Sequence, residues 1–103
     1  MNDLTNLLVL AKQTLGIVSS ATAKDDYIEM ILKAGIKDIE RVGITFDATN
    51  ELHQSTLMTY LKANFGISNP LDKERFLASY QLQLAELVLS YRVEDTENEW
   101  RCL

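Results

Sequence analysis

With 103 residues, one cysteine and a net charge of −5, the chain has room for one domain and one modest core, cannot form an intrachain disulfide, and is poorly charged for gripping nucleic-acid phosphates. Hydrophobic residues at 47% and charged residues at 24% exclude a disordered class. No run approaches the ~18 apolar residues that span a bilayer. The short LLVL stretch follows Asn2, Asp3 and Asn6 and lacks a cleavage site, so it does not read as a signal peptide, and cytoplasmic synthesis is expected.

The first helix is expected from about Leu4 to Leu15, capped by Asp3 and stopped by Gly16, with Leu4, Leu7, Leu8, Ala11 and Leu15 on one face. The linker IVSSATAK ends in Thr22, three positions before Asp25, which resembles a capping box with a short acid. Asp25 and Asp26 then favour the positive start of a helix rather than a catalytic acid pair, because adjacent helical residues point about 100° apart. That second helix should cover about Ala23 to Arg41, burying Ile28, Ile31, Leu32, Gly35, Ile39 and Val42. Gly35 costs about 1 kcal/mol inside a helix, and a close helix crossing is the reason expected for it. Gly43 ends the segment.

Ile44 and Phe46 alternate with polar neighbours in GITFDATN but are too few to define a sheet. Asn50 caps a third helix, Glu51 to Phe65, with Leu57, Met58, Leu61 and Phe65 inward and Gly66 as its left-handed stop. Asn69-Pro70 opens a fourth helix running to about Val93. The fold class is therefore all-α, a small bundle of about four helices with a long C-terminal helix. Residues 1–93 form a single domain and residues 94–103 a short acidic tail, expected to be flexible in the lone subunit, where Trp100 would anchor on a partner.

Enzymatic chemistry lacks its parts. The single histidine, His53, has no nearby cysteine, and it reads as an exposed helix residue; Cys102 lies on the tail. DATNEL looks faintly like the start of a calcium loop, but Leu52 stands where glycine is needed and Met58 where a bidentate glutamate is needed. There is no phosphate cradle, no CxxC and no HExxH, so no catalytic residue, metal ligand or cofactor is assigned. Glu29, Lys33, Lys37 and Arg41 lie four apart on the second helix. They read as a solvated face steadied by a Glu29-to-Lys33 pair, as a contact with an acidic neighbour, or as the DNA-facing ridge of a small helical regulator.

The fourth helix carries two apolar stripes. Leu77, Tyr80, Leu84, Leu87, Val88 and Tyr91 form one; Ala78, Leu82, Ala85 and Leu89 form another, roughly 150° around the axis. The plainer expectation is a central fourth helix, with the other three covering both stripes. Alternatively, the second stripe meets a neighbouring subunit.

YLKANFGISNPLDKERFLASYQLQLAELVLSY, over residues 60–91, resembles the second half of small head–tail connector (adaptor) proteins of long-tailed bacteriophages. The similar positions are Tyr60, Lys62, Ala63, Asn64, Phe65 and Gly66, then Glu74, Arg75, Phe76, Ser79 and Tyr80. The first half resembles that family more loosely, through KQTLGI and DDYIEMILKAGIKDIE, and residues 93–103 match no pattern in it. The resemblance implies a structural virion protein at the head–tail junction, assembled in the host cytoplasm. It implies a ring of roughly twelve copies below the portal protein, joined to a downstream head-closure or tail component, through which genome DNA passes without specific binding. No enzyme activity, cofactor or membrane contact is implied. Candidate subunit or partner contacts are Ala78, Leu82, Ala85 and Leu89, with Lys62, Arg75, Lys33, Lys37, Arg41 and Trp100.

Overall fold

The computed structural model describes residues 3–65 and 69–101, with side chains over residues 4–65 and 69–90. Gly66 lies outside the described residues, as do the side chains of Tyr91, Trp100 and Cys102. Four helices and no strand occur among the described residues: α1 (Asp3–Leu15), α2 (Asp25–Arg41), α3 (Glu51–Asn64) and α4 (Pro70–Arg101). The chain is an all-α small bundle. None of its described helices is long and apolar enough to cross a membrane.

Each helix is bounded by local chemistry. Gly16 takes φ 73° after α1 and Gly43 φ 93° after α2, left-handed conformations that a Cβ would strain. Asn50 caps α3, its Oδ1 accepting from the backbone N–H of Leu52 at 2.8 Å and His53 at 3.4 Å. Asn69 Oδ1 accepts from the N–H of Leu71 at 3.0 Å, with Pro70 the first residue of α4. The capping box expected at Thr22 does not form. α2 begins at Asp25, and Lys24 stands before it without a side-chain cap. The reason is that the Asp25 carboxylate pairs with Lys12 Nζ at 2.7 Å.

The sequence places Asp25 at the start of α2 but indicates no partner for it on α1. Lys12 is buried on α1, and its ammonium also donates to the carbonyl of Ser19 at 3.1 Å. A buried ammonium needs both partners to offset its lost hydration. Together they fasten the linker between α1 and α2 over the α1 surface.

The core joins Leu7 and Ala11 of α1, Ile28, Ile31, Leu32 and Ile39 of α2, Leu57, Met58 and Leu61 of α3, and Tyr80, Leu84 and Leu87 of α4. Full burial of each large aliphatic side chain is worth ~1.5–3 kcal/mol. Gly35 stands at the α2–α3 crossing as expected. A Cβ there would come within 2.6 Å of Leu57 Cδ1 and 2.8 Å of Tyr60 Cδ1. Val42, expected in the core, instead sits at the partly exposed end of α2, because the helix terminates beside it.

The arrangement overturns the expectation of a central α4. The central element is α3, which packs against α1, α2 and α4, whereas α4 lies mainly along α3. α4 is also longer than expected. It spans 32 residues to Arg101, about 48 Å at 1.5 Å per residue, and so includes most of the segment expected as a tail.

Candidate functional site: the uncovered sides of two helices

The first stripe of α4 lies against the bundle. Tyr80 is 1% exposed, Leu84 and Leu87 are buried, and Val88 is half-buried against the core. Tyr80 meets the Tyr60 ring edge-on, with centroids 5.2 Å apart, and its hydroxyl donates to Asp38 Oδ2 of α2 at 2.5 Å. Asp38 also accepts from Arg41 Nε at 3.1 Å. Burial, then the hydrogen bond and charge of Asp38, push the Tyr80 hydroxyl far above the usual phenol range. Tyr80 is therefore a neutral fastener between α4 and α2. Leu77, expected with this stripe, lies at its edge and is 36% exposed, since α3 ends near that level.

The second stripe is uncovered. Leu82 is 68% exposed and Leu89 62%, and Ala78 and Ala85 are exposed beside them. The cause is geometric. α1 and α2 pack on other sides of α3, so nothing in the described chain reaches a face roughly 150° from the one that α3 covers. The stripe also begins earlier than expected. Leu71, seven residues before Ala78, is exposed in the same line. Its heptad spacing from Ala78 is the signal that could have found it.

The basic ridge of α2 is likewise on the surface. Lys33, Lys37 and Arg41 are all exposed. The expected Glu29-to-Lys33 pair does not form; the ion pairs among the described residues are Lys12–Asp25 and Arg41–Asp38, the latter at 3.0 Å. Met30, 58% exposed, lies just ahead of the ridge. Lys62 in the last turn of α3 and Arg75 in the second turn of α4 are exposed at the α3–α4 turn, apart from the α2 ridge. Trp100 falls on the helical backbone of α4, its side chain outside the described residues.

His53 departs from its expectation. It is buried, its Nδ1 accepts from the backbone N–H of Asp47 at 3.0 Å, and its ring lies 5.7 Å from that of Phe46. It packs the segment between α2 and α3 onto the start of α3. Asp47 accepts from the Thr49 hydroxyl at 2.6 Å and the Thr49 N–H at 2.9 Å, which holds its carboxyl below the usual carboxylate range. These bonds shape a turn rather than an ion cradle. Among the described residues no three His, Cys, Asp or Glu side chains gather to hold a metal. An open hollow of about 280 Å³ lies between the linker, α2 and Phe65, with walls that are apolar except for Lys24 and Asp25. Without further polar groups converging there, it offers no set of catalytic partners. The described surface also carries the apolar stripe of α4 and the basic ridge of α2.

Comparison of the chain with protein-family models, curated proteins and solved structures yields no match.

Proposed function

We propose that the chain is a structural subunit of a bacteriophage head–tail connector, which assembles with copies of itself into a ring below the portal protein. In that role it links the head to a downstream head-closure or tail component, leaves a channel for genome DNA and makes or breaks no covalent bond. Its place is the virion, after assembly in the host cytoplasm. The similarity of residues 60–91 to adaptor proteins of long-tailed phages supports the family reading. The observation that carries the self-assembly is the uncovered second stripe of α4, apolar along Leu71, Ala78, Leu82, Ala85 and Leu89. Contiguous apolar surface of this kind marks contact sites.

The rival reading, a helical regulator that binds DNA, draws on Lys33 and Lys37, exposed and without an ion pair among the described residues. A net charge of −5 works against it, because duplex binding requires a surplus of cations. Light scattering across a concentration series tests the proposal, with the native chain compared against a Leu82→Glu, Leu89→Glu variant. The native chain is expected to self-associate, and the variant to keep its helical circular dichroism while remaining monomeric. Self-association unchanged in the variant would take the second stripe out of the interface. Duplex affinity that falls steeply with salt, in a chain that stays monomeric, would favour the regulator.

A further inference from the structure

The outer face of α4 has an order along the helix as well as an apolar character. Its exposed positions Leu71, Arg75, Ala78, Leu82, Ala85 and Leu89 fall alternately four and three residues apart, the spacing of a seam between two packed helices. Glu86 stands beside Ala85. Arg75 and Glu86 are eleven residues apart, about three turns, so they lie along one edge of the stripe, one towards each end. Both are exposed, and neither joins an ion pair among the described residues.

That order complements itself in one orientation. If two copies of α4 lie antiparallel about a two-fold axis level with residues 80 and 81, Arg75 of each copy comes level with Glu86 of the other. Leu82 then faces Ala78 and Leu71 faces Leu89, so large side chains meet small ones at the centre and each other at the ends. Arg75 faces Ala85, whose small side chain leaves the guanidinium room to reach Glu86 next to it. Asp72 lies on the same edge, three residues before Arg75. The five N–H donors of the guanidinium suffice for both carboxylates, which offsets the repulsion between them. A parallel pair in register instead sets Arg75 against Arg75 and Glu86 against Glu86.

The bundle leaves this approach open. α3 and the core cover the other side of α4, so nothing in the described chain stands in front of the outer face. From Leu71 to Leu89 the seam is eighteen residues long, about 27 Å of helix.

We infer that the free chain pairs with a second copy of itself through an antiparallel contact of the two α4 outer faces, aligned by two Arg75–Glu86 ion pairs. The inference rests on the self-association proposed above and gives it an occupant and an orientation. Such a contact is isologous and saturates at two copies. It covers the stripe that the ring is proposed to use, so ring assembly has to displace it.

Charge reversal in the full chain tests the pairing. Sedimentation velocity over a concentration series is run on the native chain, on Arg75→Glu, on Glu86→Arg, on an equimolar mixture of the two, and on the chain carrying both changes. The native chain should form a dimer and nothing larger. Each single variant sets like charges together twice across the contact, and its dimerisation should weaken at least ~10-fold. The mixture and the doubly changed chain set opposite charges together again, so dimerisation should return in both. That recovery also shows that neither change unfolds the chain.

If the native chain self-associates and both single variants do so equally well, Arg75 and Glu86 do not align the contact and this inference fails, while the connector reading stands. Weakening in the single variants without recovery in either the mixture or the doubly changed chain also overturns it, because the two residues then do not face each other. Native assemblies larger than two that are abolished by Leu82→Glu, Leu89→Glu show an open contact through the stripe, which sinks the two-fold pair and favours the ring. A native chain that stays monomeric at every concentration removes both readings.

Discussion

The two sides of α4 are built from the same kinds of residue and end in opposite environments. Leu84 and Leu87 on one side are buried, while Leu82 and Leu89 on the other are more than half exposed. Hydrophobicity therefore did not decide which side enters the core; the position of α3 did. α2 shows the same division. Its inner side holds Ile28, Leu32 and Ile39 with no exposed area, and its outer side holds Met30, Lys33 and Lys37 in solvent. The inner sides specify a monomer fold, whereas the outer sides are spare with respect to folding, which leaves them free to serve contact between molecules.

The sharpest way to break that division is to truncate one leucine from each side of α4. Leu84→Ala should cost about 2–5 kcal/mol, because it removes buried methyl groups and leaves a cavity between α3 and α4. Leu82→Ala should stay within about 0.5 kcal/mol in the monomer, since it gives up little burial. Urea unfolding at a concentration low enough to avoid assembly measures both. Equal losses would mean that the second stripe is core after all.

A smaller effect is expected where α2 crosses α3. Gly35→Ala improves helix propensity by about 1 kcal/mol but drives a Cβ into Leu57 and Tyr60, and overpacking typically costs about 1–3 kcal/mol. A net loss of about 1 kcal/mol is the expected balance. Lys37→Ala, two residues on and facing solvent, should change little. Stabilisation by Gly35→Ala would show that the crossing opens without difficulty and that the glycine is not placed for close approach.

Much of this was legible beforehand because it depends on local signals. Gly16, Gly43, Asn50 and Asn69-Pro70 mark helix ends through backbone conformation and side-chain caps, which need no distant partner. Gly35 was legible because an unbroken apolar period around a glycine implies a close neighbour. The failures share a different cause. His53 was read as exposed because its environment comes from Phe46 and Asp47, which reach it through the fold of the segment between α2 and α3. Lys12 and Asp25, thirteen residues apart, become partners only when the linker folds back over α1. Whether α4 or α3 is central depends on which of several apolar faces wins a partner, and periodicity shows that a face exists without showing what covers it. The second stripe of α4 was thus identified correctly as a face, and its exposure became visible only in three dimensions.

An effect of similar size concerns the hydrogen bond from Tyr80 that ties the inner side of α4 to α2. Tyr80→Phe keeps the ring against Tyr60 and removes the hydroxyl that donates to Asp38 at 2.5 Å. Asp38 retains Arg41 at 3.0 Å, so the loss at neutral pH should be only about 1–2 kcal/mol. The pH dependence separates this bond from simple packing. Burial and Asp38 raise the Tyr80 hydroxyl above its ordinary value of 10.0. Below that value the folded and unfolded chains both hold the proton, and the full contribution is present. Above it the unfolded chain releases the proton first, so stability falls as pH rises further. The phenylalanine variant lacks this site and should fall less steeply, with Tyr60, raised by its own burial and by Asp38, supplying part of the remaining slope. Urea midpoints compared between neutral pH and strongly alkaline pH should therefore converge for the two chains. A constant offset across that range would show that the hydroxyl is not held by Asp38, and that the inner side of α4 is fastened to α2 by apolar contact alone.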